Sequence, residues 1–552
     1  MGTSSGKRCT AALAASLSLT EGRIRCCAAH SFIPANRLGF TPSVFPSRTL
    51  APLQAPSSAT SMGYRHPNYV MRSEASLLST IATDSRESEV PPASLKTVEV
   101  TRGKARLFWD GNPLVYGGAV SSVRGNPKAG DIVDVVDSNG RFIAWGVYNP
   151  DSMYRVRVFA KEGEPLARCR DLSAVLRDRL RTARDLRRAI GMPCADTDSY
   201  RLVNSEGDRL SGLVIDIFAG VIGVSSSATW VELYRPQIEA ALREEFGSEV
   251  REIVWRRSDG RLQQDGWKGT DVASAEEVTE TPLREGQGRG GLEIQAGDVH
   301  AEEAGPANHG VGEVGVEGDL DGTEGQATSE SLWDTAPATV VRELGLQYEV
   351  HPRSGQKTGF YCDQRESRDA VRNMSAGKRV LDMFCYSGGF ALNAAFGGAV
   401  RVVAVDSSQP ALEAAWRNAA RNGLKEKVSF VKDDALDHMK TAATNGDLFD
   451  LVVLDPPKLA PNKKALPRAT SRYRRLNAAA IQLVAPGGIL VTFTCSAAMT
   501  QSGEFIRMVQ SAAAAAGRTL RLLRTVGAAA DHTADPCYSE GAYLTGAFFY
   551  VV

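Results

Sequence analysis

Long apolar runs are missing from this 552-residue sequence: none approaches the roughly 20 residues that a bilayer-spanning helix needs. The expectation is a soluble chain of two to four domains. The nine cysteines, at 9, 26, 27, 169, 194, 362, 385, 495 and 537, contain no C-x-x-C pair, and the seven histidines show no ligand spacing. Neither a disulfide framework nor a metal site is expected. Also missing, from the strand-to-helix turn at 387–389, which reads Ser-Gly-Gly, are the second and third glycines of G-x-G-x-x-G, the pattern that cradles a dinucleotide pyrophosphate. Acid is scarce at the start: up to Arg72, Glu21 stands alone against eight Lys or Arg, among many Ser, Ala and Thr. That is the composition of an organelle transit peptide, expected over 1–90, with chloroplast favoured over mitochondrion. Acid is instead concentrated in residues 271–330, which carry fifteen Asp or Glu against Arg284 and Arg289. Outside that stretch 62 basic residues face 49 acidic ones, so the net charge of zero hides a basic protein.

What is present divides the chain. Residues 95–162 hold short runs (VEV, ARLFW, PLVYGGAV, DIVDVVD, RFIAWGVYN, MYRVRVFA) between Gly, Asn and Asp turns, which predicts a small all-β unit. Arg102, Lys104, Arg106, Arg124, Lys128, Arg155 and Arg157, with Trp109, Tyr116 and Tyr148 interleaved, suit an RNA backbone with exposed bases; a merely solvated face is the alternative. Residues 165–350 predict an α+β unit with no catalytic constellation. Within it, 167–190 reads as an amphipathic helix with a stripe of Leu172, Leu176, Leu180 and Leu186 and arginines elsewhere. The Gly- and Glu-rich stretch 265–335 lacks the apolar surface to fold and is expected as a disordered insertion.

Residues 351–552 alternate strand with helix, the pattern of a Rossmann-like, doubly wound α/β sheet. The stretch VLDMFCYSGGFALNAAFGGAVRVVAVD (380–406) reads as strand, glycine turn, helix, strand. Its Ser-Gly-Gly turn, the acid Asp382 inside the first strand and Asp406 ending the second suit S-adenosylmethionine better than NAD, because a carboxylate there repels phosphate. Asp434, at the end of a third strand, is the expected acceptor for the adenine amino group. The turn Asp455-Pro456-Pro457-Lys458 follows a buried strand and can grip a planar base. Lys458 stands where enzymes acting on exocyclic amino groups carry Tyr or Phe. Cys495 ends the strand ILVTFTCS. A thiolate there could add to carbon 6 of a pyrimidine and make carbon 5 nucleophilic, although a lone buried cysteine is more often inert packing. Cys362 and Cys385 read as structural. Lys463, Lys464, Arg468, Arg472, Arg474 and Arg475 form a basic lip after the turn.

The runs KTGFYCDQRESR, LDMFCYSGGFALNAA, VDSSQPAL, DPPK, SRYRRLNAAAIQL, ILVTFTCSAAMT and DHTADPCYSEGAYLTGAFF together resemble the bacterial large-subunit ribosomal RNA cytosine-C5 methyltransferases that carry an N-terminal PUA domain. The resemblance covers about 95–265 and 335–552. It implies a PUA domain at 95–162, the nucleophile on Cys495 and a donor site on Phe384, Gly388, Asp406 and Asp434; the reading of the residues themselves adds Asp382 to the donor site, Asp455 beside the nucleophile, and RNA at Pro456, Pro457, Lys458, Arg472 and Tyr473. The implied partner is large-subunit rRNA; a homodimer is compatible with the reading. The leader and the acidic insertion depart from the bacterial pattern and suggest an organelle-targeted member. A second cysteine beside Pro456 and Pro457 is also lacking, so another group must assist product release. Guanine-N2 methylation and a non-catalytic assembly role are the competing readings.

Overall fold

The computed structural model of the chain describes residues 96–269, 338–355 and 357–552. The transit-peptide reading of 1–90 and most of the expected insertion lie outside these residues. Among the described residues no helix is long and apolar enough to cross a membrane.

The first domain is a six-stranded sheet of β1 (Thr97–Val100), β2 (Leu114–Tyr116), β3 (Val120–Arg124), β4 (Ile132–Val136), β5 (Phe142–Tyr148) and β6 (Tyr154–Lys161), in the order β2-β6-β5-β4-β1-β3. Val98, Val115, Val133, Ile143 and Val156 fill its core. One run expected as strand is a helix, Ala105–Trp109. The consecutive Leu-Phe-Trp would put apolar groups on both faces of a strand. As one helical turn it buries Phe108 and leaves Leu107 at the surface. Two of the residues offered to RNA are also withdrawn: Tyr148 is buried, and Arg157 is buried in an ion pair with Asp265 at 2.5 Å.

Asp265 corrects the expected start of the insertion. It is 5% exposed and takes Ser152 Oγ at 2.6 Å and the backbone N–H of Thr229 at 2.7 Å besides Arg157. A buried carboxylate with that many donors ties the first domain to the second.

The second domain is a four-stranded sheet, order β10-β9-β8-β7, of β7 (Ser199–Asn204), β8 (Leu213–Phe218), β9 (Val221–Ser226) and β10 (Glu252–Arg257). The helix Leu172–Ala189 starts at Asp171, whose side chain accepts from Ser173 N. Leu172, Leu176 and Leu180 are buried as the stripe predicts, but its continuation is Arg187 rather than Leu186. Arg187 is fully buried and grips Asp208 through both carboxylate oxygens. Its role is structural.

The hairpin β11 (Thr339–Glu343) and β12 (Leu346–Val350) leads into a seven-stranded sheet. That sheet holds β13 (Arg379–Met383), β14 (Arg401–Asp406), β15 (Val428–Lys432), β16 (Phe449–Leu454), β17 (Val484–Thr494), β18 (Leu520–Val526) and β19 (Thr545–Val551), in the order β15-β14-β13-β16-β17-β19-β18. All are parallel except β19, which runs antiparallel to β17 and β18. Side chains alternate faces along each strand. Val380, Val402, Leu451, Val453, Val491 and Phe493 line one face, with the hairpin's Val341, Tyr348 and Val350 and with Phe218 of the second domain. Leu381, Met383, Val405, Val452, Leu454 and Leu490 line the other. The same parity continues one step beyond the strand ends. It puts Asp382, Asp455 and Cys495 on the hairpin's face.

Candidate active site

The donor side is one continuous piece of chain. After β13 the backbone turns through left-handed conformations at Phe384, Tyr386 and Gly388 (φ +64°, +49° and +85°) into the helix Gly389–Phe396. Such values are costly for non-glycine residues and persist where surroundings enforce them. Here Asp406 enforces them: its carboxylate accepts from Tyr386 N at 2.9 Å and from Ser408 N at 2.9 Å, while Cys385 N donates to Val405 O at 3.0 Å. Gly388 answers to packing as well, because a Cβ there would stand 3.3 Å from that of Ala415.

Asp382 is 1% exposed; one oxygen accepts from Ala391 N at 2.8 Å and the other has no partner among the described residues. Burial drives its carboxyl well above the usual range. A ligand bringing a positive centre and N–H donors fits that orphaned oxygen, and Asp406 keeps lone pairs for ribose hydroxyls. The donor set therefore fits S-adenosylmethionine. Asp434 is exposed and its side chain caps the helix Ala435–Thr444, accepting from Leu436 N at 2.8 Å. It stands at the third strand's end as expected, with part of its acceptor capacity already used.

The acceptor side is assembled from distant segments. Cys495 and Asp455 are both half-buried, and Cys495 Sγ lies 4.0 Å from the carbonyl oxygen of Pro456. Burial pushes the Cys495 thiol up to about 11, with the Asp455 charge adding to it. Burial, then the charge of Asp363, pushes Asp455 up to about 7. Gln364 Nε2 donates to Asp455 Oδ2 at 3.2 Å. Asp363 binds Lys357 Nζ at 2.9 Å and the Tyr543 hydroxyl at 2.8 Å, and Lys357 and Tyr543 are among the groups that hold its carboxyl below the usual range against burial. Lys357 Nζ also sits 4.0 Å from the Tyr361 ring centre. Its charge reaches both groups, drawing the Asp455 carboxyl and the Cys495 thiol downward.

Lys357, Asp363, Gln364 and Tyr543 carry no assigned role in the sequence reading, although two of the recognised runs contain them. Nothing local distinguishes them. They reach the site because their segment is pinned from outside: Thr358 Oγ1 donates to Asp216 of β8, itself paired with Arg201 at 2.6 Å. Gly359 (φ +120°) lies so close to His351 that a Cβ would stand 2.9 Å from its carbonyl oxygen. Arg365 and Arg368 follow in the buried start of the helix Arg365–Met374, bound to Asp531 and Glu343.

Of the residues expected at RNA, Pro457, Lys458 and Arg472 are exposed and Pro456 is buried. Tyr473 is a correction. It is fully buried in the helix Leu466–Gln482, and its hydroxyl meets Ser496 Oγ at 2.8 Å and Thr494 Oγ1 at 2.9 Å. The helix periodicity that exposes Arg472 turns its neighbour inward. Tyr473 braces the turns at Pro457 and Ser496 from behind. The six basic-lip residues are all exposed, and none forms an ion pair among the described residues. Cys362 and Cys385 are buried in the sheet's core, with thiols far above their usual range.

Residues 98–161 match the PUA-like domain family, and residues 328–524 match the S-adenosylmethionine-dependent methyltransferase family. The ribosomal RNA large subunit methyltransferase I of Klebsiella pneumoniae (strain 342) is 32% identical over 449 residues, 81% of this chain and 96% of that protein. Its counterpart from Escherichia coli O139:H28 is 32% identical over 81% of this chain and 97% of its own length. A methyltransferase structure solved with SAH bound has the same fold, with a TM-score of 0.60 at 17% identity over 82% of this chain and 99% of that one. A structure from Streptococcus mutans superposes with a TM-score of 0.59, also at 17% identity, over 82% of this chain and 99% of that one. With S-adenosylmethionine as its methyl donor, the chain belongs to the ribosomal RNA large subunit methyltransferase I family.

Proposed function

We propose that this protein methylates carbon 5 of a cytosine in large-subunit rRNA, and that the rRNA is an organelle's, chloroplast in preference to mitochondrion. The observation that carries the chemistry is the placing of Cys495 beside Asp455 at neighbouring strand ends of the donor-bearing sheet. The organellar part rests on the composition of residues 1–72 alone.

Bound S-adenosylmethionine supplies a methyl group on a sulfonium. The chain's residues supply the activation. The Asp455 carboxylate takes the thiol proton of Cys495 and gives it to N3 of the base as sulfur bonds to C6. C5 becomes an enamine carbon and takes the methyl group, while the N3 proton returns to Asp455. Loss of the C5 proton to a base or water then expels Cys495 and restores the ring. An Asp held at about 7 suits both halves of that exchange.

Cytosine rather than uracil is favoured by two acceptors. Asp363 Oδ1 and Gln364 Oε1 are buried beside this site and have no partner among the described residues. The exocyclic amino group of cytosine carries N–H donors for them, whereas the O4 of uracil would be repelled. The test is methylation of organellar rRNA with a labelled donor, followed by nucleoside analysis. 5-Methylcytidine is expected. N2-methylguanosine as the sole product contradicts the proposal, and binding without transfer returns the protein to an assembly role.

A further inference from the structure

The second domain has so far only braced the active segment. Along its edge strand β10, however, lies a groove of about 520 Å³ lined by Arg235, Arg243, Arg251, Arg256 and Arg353 around Trp255, with Glu252 as the acid in the lining. Resting on the rRNA methyltransferase reading, we propose that this groove binds the phosphate backbone of the RNA strand next to the methylated nucleotide.

Charge is the first argument. Arg235 pairs with Glu239 at 2.7 Å and Arg353 pairs with Glu252, so two of the five cations are already answered. Among the described residues Arg251 and Arg256 reach main-chain carbonyls and no carboxylate, Arg251 that of Ala219 at 2.6 Å and Arg256 that of Gly355 at 2.5 Å. Arg243 has no ion-pair partner among the described residues. Three guanidinium groups thus converge without a carboxylate. Arg256 is half-buried, and burial lowers its pKa against its preference. A partly desolvated cation without a counter-ion is stabilised by an incoming anion, and planar guanidinium forks match phosphate.

Position is the second argument. Among the described residues β10 pairs with β9 alone, and no strand covers its outer edge. Arg256 also approaches the carbonyl of Pro352 at 3.5 Å, in the segment leading to Lys357, and its charge is felt by Tyr386 of the donor loop. One end of the groove therefore meets the reactive segment. Trp255 is fixed by its Nε1–H bond to Glu232 at 3.0 Å, and Arg235 lies 4.9 Å from its ring centre. Cations with a fixed aromatic are the composition of a strand-tracking surface.

The test is salt-titrated binding of a large-subunit rRNA fragment to the full chain and to the double variant R243E/R251E. A second double variant, R181E/R188E on the exposed face of the Leu172–Ala189 helix, changes the net charge equally. Losing two phosphate contacts flattens the log-affinity against log-salt slope by about 1.4–1.8 and weakens binding at least about tenfold at moderate salt. R243E/R251E should show this while keeping the wild-type melting temperature and S-adenosylmethionine affinity, and R181E/R188E should not. An unchanged slope, or equal losses in both variants, overturns the groove. Wild-type protein that binds no rRNA overturns the groove and the rRNA reading together, which the donor-affinity measurement separates from misfolding.

Discussion

The two halves of the crevice are made differently. On the donor side, Asp382, Phe384, Gly388 and Asp406 fall within 25 positions of one strand-turn-helix-strand unit, and local hydrogen bonds set its shape. On the acceptor side, Gln364 meets Asp455 across 91 positions and Tyr543 meets Asp363 across 180. A local unit can be recognised from its own pattern. An assembled one depends on whatever holds its pieces together, here the buried pairs Arg201–Asp216, Arg365–Asp531 and Arg368–Glu343.

If the acceptor half works as a relay, its reactive members should fail first. Asp455→Asn should cut turnover by about 10²–10⁴-fold with donor affinity unchanged. The wild-type pH–rate profile should rise through an acidic limb near 7, since only the ionised Asp455 can take the thiol proton, and the variant's residual activity should lack that limb. An identical profile in both would count against the relay.

Breaking the bracing should cost stability before chemistry. Asp531→Asn takes from the buried Arg365 the nearer of its two carboxylates, leaving Glu343 at 3.6 Å, and should cost about 3 kcal/mol by denaturant titration. Asp363 and Asp531 are both held below the usual carboxylate range. The stability they supply is present above about pH 4, where unfolded carboxylates titrate, and is lost as pH falls below that. Asp455 works oppositely: with its carboxyl raised, its contribution is complete below about pH 4 and is lost as pH climbs through about 7. In Asp455→Asn, melting temperatures should accordingly lose some of their decline between pH 4 and 7.

Smaller effects sharpen the division. Asp363→Asn replaces an acceptor-only group by an amide that can present a donor, so the preference for cytosine over uracil at the target should relax by about 10- to 100-fold in kcat/KM. Equal losses on both bases would make Asp363 a brace only. Tyr473→Phe removes the hydroxyl between Ser496 and Thr494 and should cost about 1–3 kcal/mol, with a modest fall in turnover.

Legibility in the sequence follows the same line. The sheet, its donor loop, the β-rich first domain and the strand ends at Asp455 and Cys495 were readable because periodicity and turn chemistry are local. An arginine misled: Arg157 looks like an RNA ligand in a basic stretch, yet it is buried on the carboxylate of Asp265, 108 positions along the chain. Tyr473 sits among exposed arginines and faces inward by a turn of 100° per residue. Asp265 has the composition of the insertion behind it and the contacts of a core residue. For Arg157 and Asp265 the deciding partner lies beyond the reach of local pattern.

The central claim is that Cys495 attacks the base, and covalent trapping tests it most directly. Wild-type protein and Cys495→Ala, both lacking residues 1–90, are incubated with S-adenosylmethionine and organellar rRNA substituted with 5-azacytidine. A denaturation-resistant protein–RNA adduct formed by the wild type and absent from Cys495→Ala is the predicted result. Equal methyl transfer to unmodified rRNA by both proteins, with no adduct from either, would contradict the thiolate mechanism.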